Sequence, residues 1–133
     1  MIVVDASVVV AAVAGDGPDG HHARKRLSGE VRIAPHVLDV EVLHAVRGLA
    51  ARAVIPAARA HAAVVDLARL DIGRVPHRAL LPRAWELRRN LTAYDAVYVA
   101  LAEIIGVPLV TADARLARAP GVRCAVEVLA TPT

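Results

Sequence analysis

The sequence predicts one α/β domain over residues 1–133, with a mostly parallel central sheet covered by helices on both faces. Three observations carry this. Short β-branched runs alternate with stretches of helical period from end to end. The first of those runs, Ile2-Val-Val, is continuously apolar, as in a strand buried on both faces. The chain, at 133 residues, is long enough to bury an ordinary core without disulfide or metal staples.

Met1-Ile-Val-Val-Asp5 is the first strand, and Ala6 to Ala14 a helix stopped by the breaker cluster Gly15-Asp-Gly-Pro-Asp-Gly20. His21 to Ser28 reads as a short basic helix, and Val31 to Ala34 as a second strand. Pro35 is expected to open the next helix, because a first-turn proline lacks only an N–H that has no partner there. That helix runs from about His36 to Ala53 with Leu38, Val42, Ala45 and Leu49 on one stripe. Pro56 starts another, to about Leu70, carrying Ala60, Val64, Leu67 and Ala68. Ile72 to Val75 is a strand, and Leu80 to Arg89 a helix with Trp85 and Leu87. Ala93 to Ile105 is a helix closed by Gly106, Val107 to Thr111 a strand, Ala114 to Arg118 a short helix and Val122 to Leu129 the last strand. Thr131-Pro-Thr133 is expected to be a mobile end.

Composition excludes several classes. The lone Cys124 rules out disulfide scaffolds and zinc fingers and fits a reducing compartment such as the cytoplasm. No Phe, one Trp and two Tyr leave too few rings for a base-stacking platform. Met1 to Ala14 imitates a signal peptide, but it has no basic n-region and carries Asp5 inside the apolar run. No uncharged apolar run approaches the ~20 residues that span a bilayer. The net charge of +3, from 15 Arg and Lys25 against 13 acids, leans toward a polyanionic partner.

Nucleotide-binding, serine-hydrolase and zinc-protease motifs are absent, and the six histidines show no ligand spacing. What remains is carboxylates in apolar places: Asp5 ends the first strand, Glu41 lies mid-helix, Asp95 begins an apolar helix and Asp113 follows a strand. Taken singly, Asp5, Asp95 and Asp113 have helix-capping explanations. Glu41 has none. A carboxylate in such a setting is costly unless something compensates it. In an open parallel sheet, ligands gather outside the carboxyl ends of the strands at the switch point, where Asp5 and Asp113 stand and Asp95 could converge. Oxygen donors without His or Cys suit Mg²⁺ or Mn²⁺.

Four segments then match, in order, those of a known family: Ile2-Val-Val-Asp5-Ala-Ser7; Ala34-Pro-His-Val-Leu-Asp-Val-Glu41-Val-Leu-His-Ala45; Leu91-Thr-Ala-Tyr-Asp95-Ala-Val-Tyr-Val-Ala-Leu-Ala-Glu103; and Leu109-Val-Thr-Ala-Asp113-Ala-Arg-Leu116. The chain resembles the PIN domains, and within them the VapC-type toxin ribonucleases. The resemblance implies a PIN-like fold and four catalytic and metal-holding acids at Asp5, Glu41, Asp95 and Asp113. Ser7 and Thr111 take supporting roles, orienting a carboxylate or a metal-bound water. It also implies a homodimer silenced by a VapB-type antitoxin.

The expected chemistry is metal-assisted hydrolysis of an RNA phosphodiester with Mg²⁺ or Mn²⁺. Arg88, Arg89, Arg115, Arg118 and the Arg24-Lys25-Arg26 run are candidates to contact RNA. Asp39, outside the motif, is expected to be structural. The alternatives are a PIN nuclease of RNA processing without a toxin role, and a non-catalytic α/β binding module whose acids are caps.

Overall fold

A computed structural model describes residues 1–130; the predicted mobile end at 131–133 lies outside the described residues. Five strands form one sheet: β1 (Ile2–Val4), β2 (Arg32–Pro35), β3 (Gly73–Val75), β4 (Leu109–Thr111) and β5 (Val126–Val128). Every pairing is parallel, in the order β3-β2-β1-β4-β5. The chain builds outward from β1 to β3, then crosses back to lay β4 on the other side of β1. The switch point therefore falls between β1 and β4.

Among the described residues seven α-helices connect the strands: α1 (Ala6–Ala14), α2 (Pro18–Leu27), α3 (Val37–Ala51), α4 (Ala57–Arg69), α5 (Leu81–Glu86), α6 (Ala93–Ile105) and α7 (Ala114–Arg118). Helices α1 to α4 pack on one another, while α6 pairs with α5 and lies against β1, β2 and β4. Right-handed crossovers running in opposite directions place the two groups on opposite faces. The core is aliphatic, with Val3, Val4, Val8, Val9, Leu38, Val42, Leu101 and Leu109 fully buried.

Where boundaries depart from the sequence expectation, hydrogen bonds explain it. Helix α2 begins at Pro18, inside the presumed breaker cluster. Gly20 makes this possible, since a Cβ there would collide with the Gly15 carbonyl. Pro35 does not open a helix but ends β2: it pairs with Val75, and His36 N–H donates to Val75 O at 2.9 Å, so α3 waits until Val37. His77 Nε2 then accepts from Val37 N–H at 2.9 Å, a cap supplied from forty residues away. Ala68 of α4 is exposed and Ala63 takes the buried position. The Leu80–Arg89 helix divides into a 3-10 turn at Arg78–Leu80 and the shorter α5, with Trp85 exposed and Leu87 buried. Strand β5 is shorter than 122–129, because Arg123 N–H donates to Glu103 Oε2 (2.8 Å) instead of to the ladder. Gly106 closes α6 as expected, in the left-handed conformation (φ 70°).

Candidate active site

The register Val3–Leu109 and Val4–Val110, continued by the bond from Asp5 N–H to Val110 O (2.9 Å), brings Asp5 level with Thr111. Both are buried, Asp5 at 6% exposure and Thr111 at 0%. The Asp5 carboxylate does not cap α1, although Asp5 stands at the capping position. Its Oδ2 instead accepts from Ser7 Oγ (2.6 Å) and Thr111 Oγ1 (2.8 Å). Each hydroxyl in turn accepts a backbone N–H, Ser7 from Ala112 (2.9 Å) and Thr111 from Asp113 (3.0 Å). Both hydroxyl protons are thus spent on one oxygen. Such charge-assisted bonds contribute ~1.5–3 kcal/mol each, which offsets the burial of the charge. Oδ1 takes no hydrogen bond among the described residues.

Asp95 enters at the first turn of α6, where Thr92 Oγ1 accepts its N–H at 3.2 Å, so the capping prediction holds for that helix. Its carboxyl is half-buried. Burial pushes it above the ordinary carboxylate range, and the charges of Asp5 and Asp113 add to the effect, while Thr92 and Arg115 oppose it. Glu41 sits on α3 and behaves alike. Burial raises it, the nearby Tyr98 hydroxyl opposes, and Asp5 and Asp95 raise it further. The two side chains are close enough to influence one another yet do not meet in a hydrogen bond. Glu41 Oε1 and Tyr98 Oη are both buried without a partner among the described residues.

Asp113 is different. It caps α7 by accepting Arg115 N–H (2.9 Å), and the Arg115 guanidinium grips both its oxygens, with Nη2 2.6 Å from Oδ2. That grip holds Asp113 below the usual carboxylate range.

A groove of about 280 Å³ is lined by Asp95, Asp113, Arg115, Arg118 and Asn90. Glu41 lines a neighbouring hollow of about 470 Å³ with His44, Tyr94 and Val40. Asp5 lines neither, yet it is near enough to act electrostatically on both Glu41 and Asp95. Among the described residues no three His, Cys, Asp or Glu side chains form a closed ligand set. The donors nevertheless suit a divalent cation in chemistry and charge: all are carboxylate oxygens, Asp5, Glu41 and Asp95 raise one another's cost of ionisation, and Glu41 Oε1 is buried unpaired.

The predicted basic residues divide. Arg115 and Arg118 line the groove; Arg88 and Arg89 do not. Arg88 lies over the exposed Trp85 ring, 4.5 Å from its centroid. The Arg24-Lys25-Arg26 run is largely committed elsewhere. Arg24 donates to Ala12 O and Gly15 O at the end of α1, and Arg26 pairs with Glu30 and Glu127. Asp39 pairs with Arg74 (2.8 Å), in keeping with a structural role. Two residues at the site went unremarked in the sequence: Asn90, which carries no local signal, and Tyr98, the one hydroxyl in an otherwise apolar run three residues after Asp95.

The family model described as PIN domain matches residues 2–122. The chain belongs to the PIN-domain family. Among PIN-domain relatives, Ribonuclease VapC1 of Mycobacterium tuberculosis is 44% identical over 128 residues, 96% of each chain. The crystal structure of PAE2754 from Pyrobaculum aerophilum superposes with a TM-score of 0.69 at 27% identity, covering 96% of this chain and 83% of that one. VapBC2 from Rickettsia felis, solved bound to a DNA fragment from their promoter, shares the PIN fold at a TM-score of 0.67 and 14% identity, covering 96% and 98%.

Proposed function

We propose that this PIN-domain chain is the endoribonuclease toxin of a toxin–antitoxin pair, hydrolysing RNA phosphodiesters with Mg²⁺ or Mn²⁺ held by Asp5, Glu41, Asp95 and Asp113. The observation that carries the reading is the carboxylate group at the switch point. Buried Asp5 and half-buried Glu41 and Asp95 repel one another there, and among them only Asp95 feels an opposing cation, Arg115. Full-length similarity to a VapC ribonuclease supports the substrate class.

When bound, a divalent cation neutralises this charge, lowers the pKa of water and stabilises charge developing at phosphorus. The chain's own residues supply the rest. Ser7 and Thr111 fix Asp5 through Oδ2 and leave Oδ1 free of hydrogen bonds among the described residues. Arg115 and Arg118 form the basic wall of the groove that receives the RNA backbone. The exposed Val40, Leu43 and Tyr94 beside Glu41 offer an apolar face to a protein partner, a VapB-type antitoxin or a second copy in a homodimer.

The test is cleavage of RNA by the purified chain with Mg²⁺ or Mn²⁺, with EDTA, and by Asp5→Asn. EDTA should abolish cleavage, and Asp5→Asn should cost more than the ~10–100-fold typical of an outer-shell loss. Induced expression of wild type should arrest growth where Asp5→Asn does not. Equal arrest by both, or cleavage indifferent to EDTA, overturns the reading.

A further inference from the structure

Seven residues of α6, Ala96 to Ala102, are buried, and six of them are aliphatic. The seventh is Tyr98, at 0% exposure one of the largest fully buried side chains. Phenylalanine would fill the same space with no polar atom to satisfy. A hydroxyl buried without a partner costs stability, so its presence calls for a reason. Its position gives one. Tyr98 follows Asp95 by three residues, which places the two on the same face of the helix. Its hydroxyl is close to Glu41, and the charges of Asp5 and Asp95 reach it as well.

The two hydroxyls that hold Asp5 are committed. Ser7 and Thr111 give their protons to Asp5 and accept the Ala112 and Asp113 amides. Arg115 is engaged with Asp113. Tyr98 Oη is left as the buried, uncommitted donor, and the buried, uncommitted acceptor is Glu41 Oε1. Donor and acceptor belong to side chains close enough to act on one another.

We propose that Tyr98 is a positioning residue of the four-carboxylate site, its buried hydroxyl holding the Glu41 carboxyl in the orientation that faces a bound divalent cation. This rests on the metal-dependent function proposed above. The chain as described carries the two groups unjoined, and the bond would form as Glu41 turns to hold the cation. Outer-shell partners of this kind orient a ligand and set its basicity without touching the metal.

Tyr98→Phe removes the hydroxyl and keeps the ring. Mn²⁺ affinity is measured by titration calorimetry on wild type, Tyr98→Phe, Glu41→Gln and the double variant, alongside urea unfolding in EDTA. Tyr98→Phe should weaken Mn²⁺ binding about tenfold and leave the metal-free chain as stable as wild type or more so. In the Glu41→Gln background the same change should have little further effect. RNA cleavage should lose kcat with KM unchanged. Wild-type Mn²⁺ affinity in Tyr98→Phe overturns the inference, as does full additivity in the double variant. A destabilised metal-free Tyr98→Phe also overturns it, since the hydroxyl would then be an ordinary structural bond. If wild type itself neither binds Mn²⁺ nor needs a cation for cleavage, the proposed function fails first and this inference with it.

Discussion

Replacing Glu41 with Gln should make the metal-free protein more stable, even as it damages the site. Folded Glu41 takes up a proton more readily than an ordinary carboxyl, because burial penalises its charge and Asp5 and Asp95 add repulsion. Between the ordinary carboxylate range and the raised folded value, the folded state therefore holds more protons than the unfolded one. Stability contributed by Glu41 falls as pH rises through that window, and above it the deficit is fully present. An amide carries no charge at any pH and removes the deficit; its NH₂ can also donate to Tyr98 Oη, which otherwise has no partner. One buried unpaired polar atom costs ~1–3 kcal/mol, and the partial exposure of Glu41 puts the expected gain near the lower end, about 1 kcal/mol. With a urea slope of ~1–3 kcal/mol/M, the midpoint should rise by roughly 0.3–1 M. The assay is urea unfolding in EDTA at about pH 7.5 and about pH 4, where Glu41 is mostly protonated in both states, loses its charge penalty and can itself donate to Tyr98 Oη, so that the gap should narrow. Carboxylates such as Asp113 and Glu103, held below their ordinary range, lose their contribution as pH falls, but equally in both proteins. A variant no more stable than wild type at the higher pH would refute the reasoning, as would a gap unchanged by pH.

Thr111→Val keeps the volume of a fully buried side chain but removes the donor to Asp5 and the acceptor for Asp113 N–H. It should cost about 2 kcal/mol in urea unfolding. Arg115→Ala should release Asp113 toward the ordinary carboxylate range, since its strongest partner is gone. If the groove holds RNA, the same change should weaken binding and reduce the slope of log K against log salt by about 0.7, one single-strand phosphate contact. An unchanged slope would remove Arg115 from the RNA path. His77→Ala deprives Val37 N–H of its acceptor at the start of α3 and should destabilise by about 1 kcal/mol. Stability equal to wild type would show that solvent satisfies that amide as well.

Much of this protein is written in local pattern. The β-branched runs around Val3, Ile33 and Val110 announce strands, Thr92 and Gly106 mark the ends of α6, and four acids stand where apolar neighbours make them conspicuous. Those signals are short-range, because helix caps, apolar periodicity and proline placement act within a few residues. What they could not settle depended on partners far away in sequence. Pro35 ended a strand because Val75 was there to pair with, and β5 lost its first residues to Glu103. Arg24 and Arg26, candidates for RNA contact by their local sequence, are engaged by the end of α1 and by Glu127 of β5. Asp5 had the local form of a helix cap, and only the neighbouring end of β4 turned it into an anion held by Ser7 and Thr111. The sequence by itself determined which residues carry charge and which elements carry those residues. The tertiary structure decided which charges are near enough to repel and which hydroxyls answer them. Electrostatic and hydrogen-bond energies depend on distances across the sheet, and local sequence does not encode those distances.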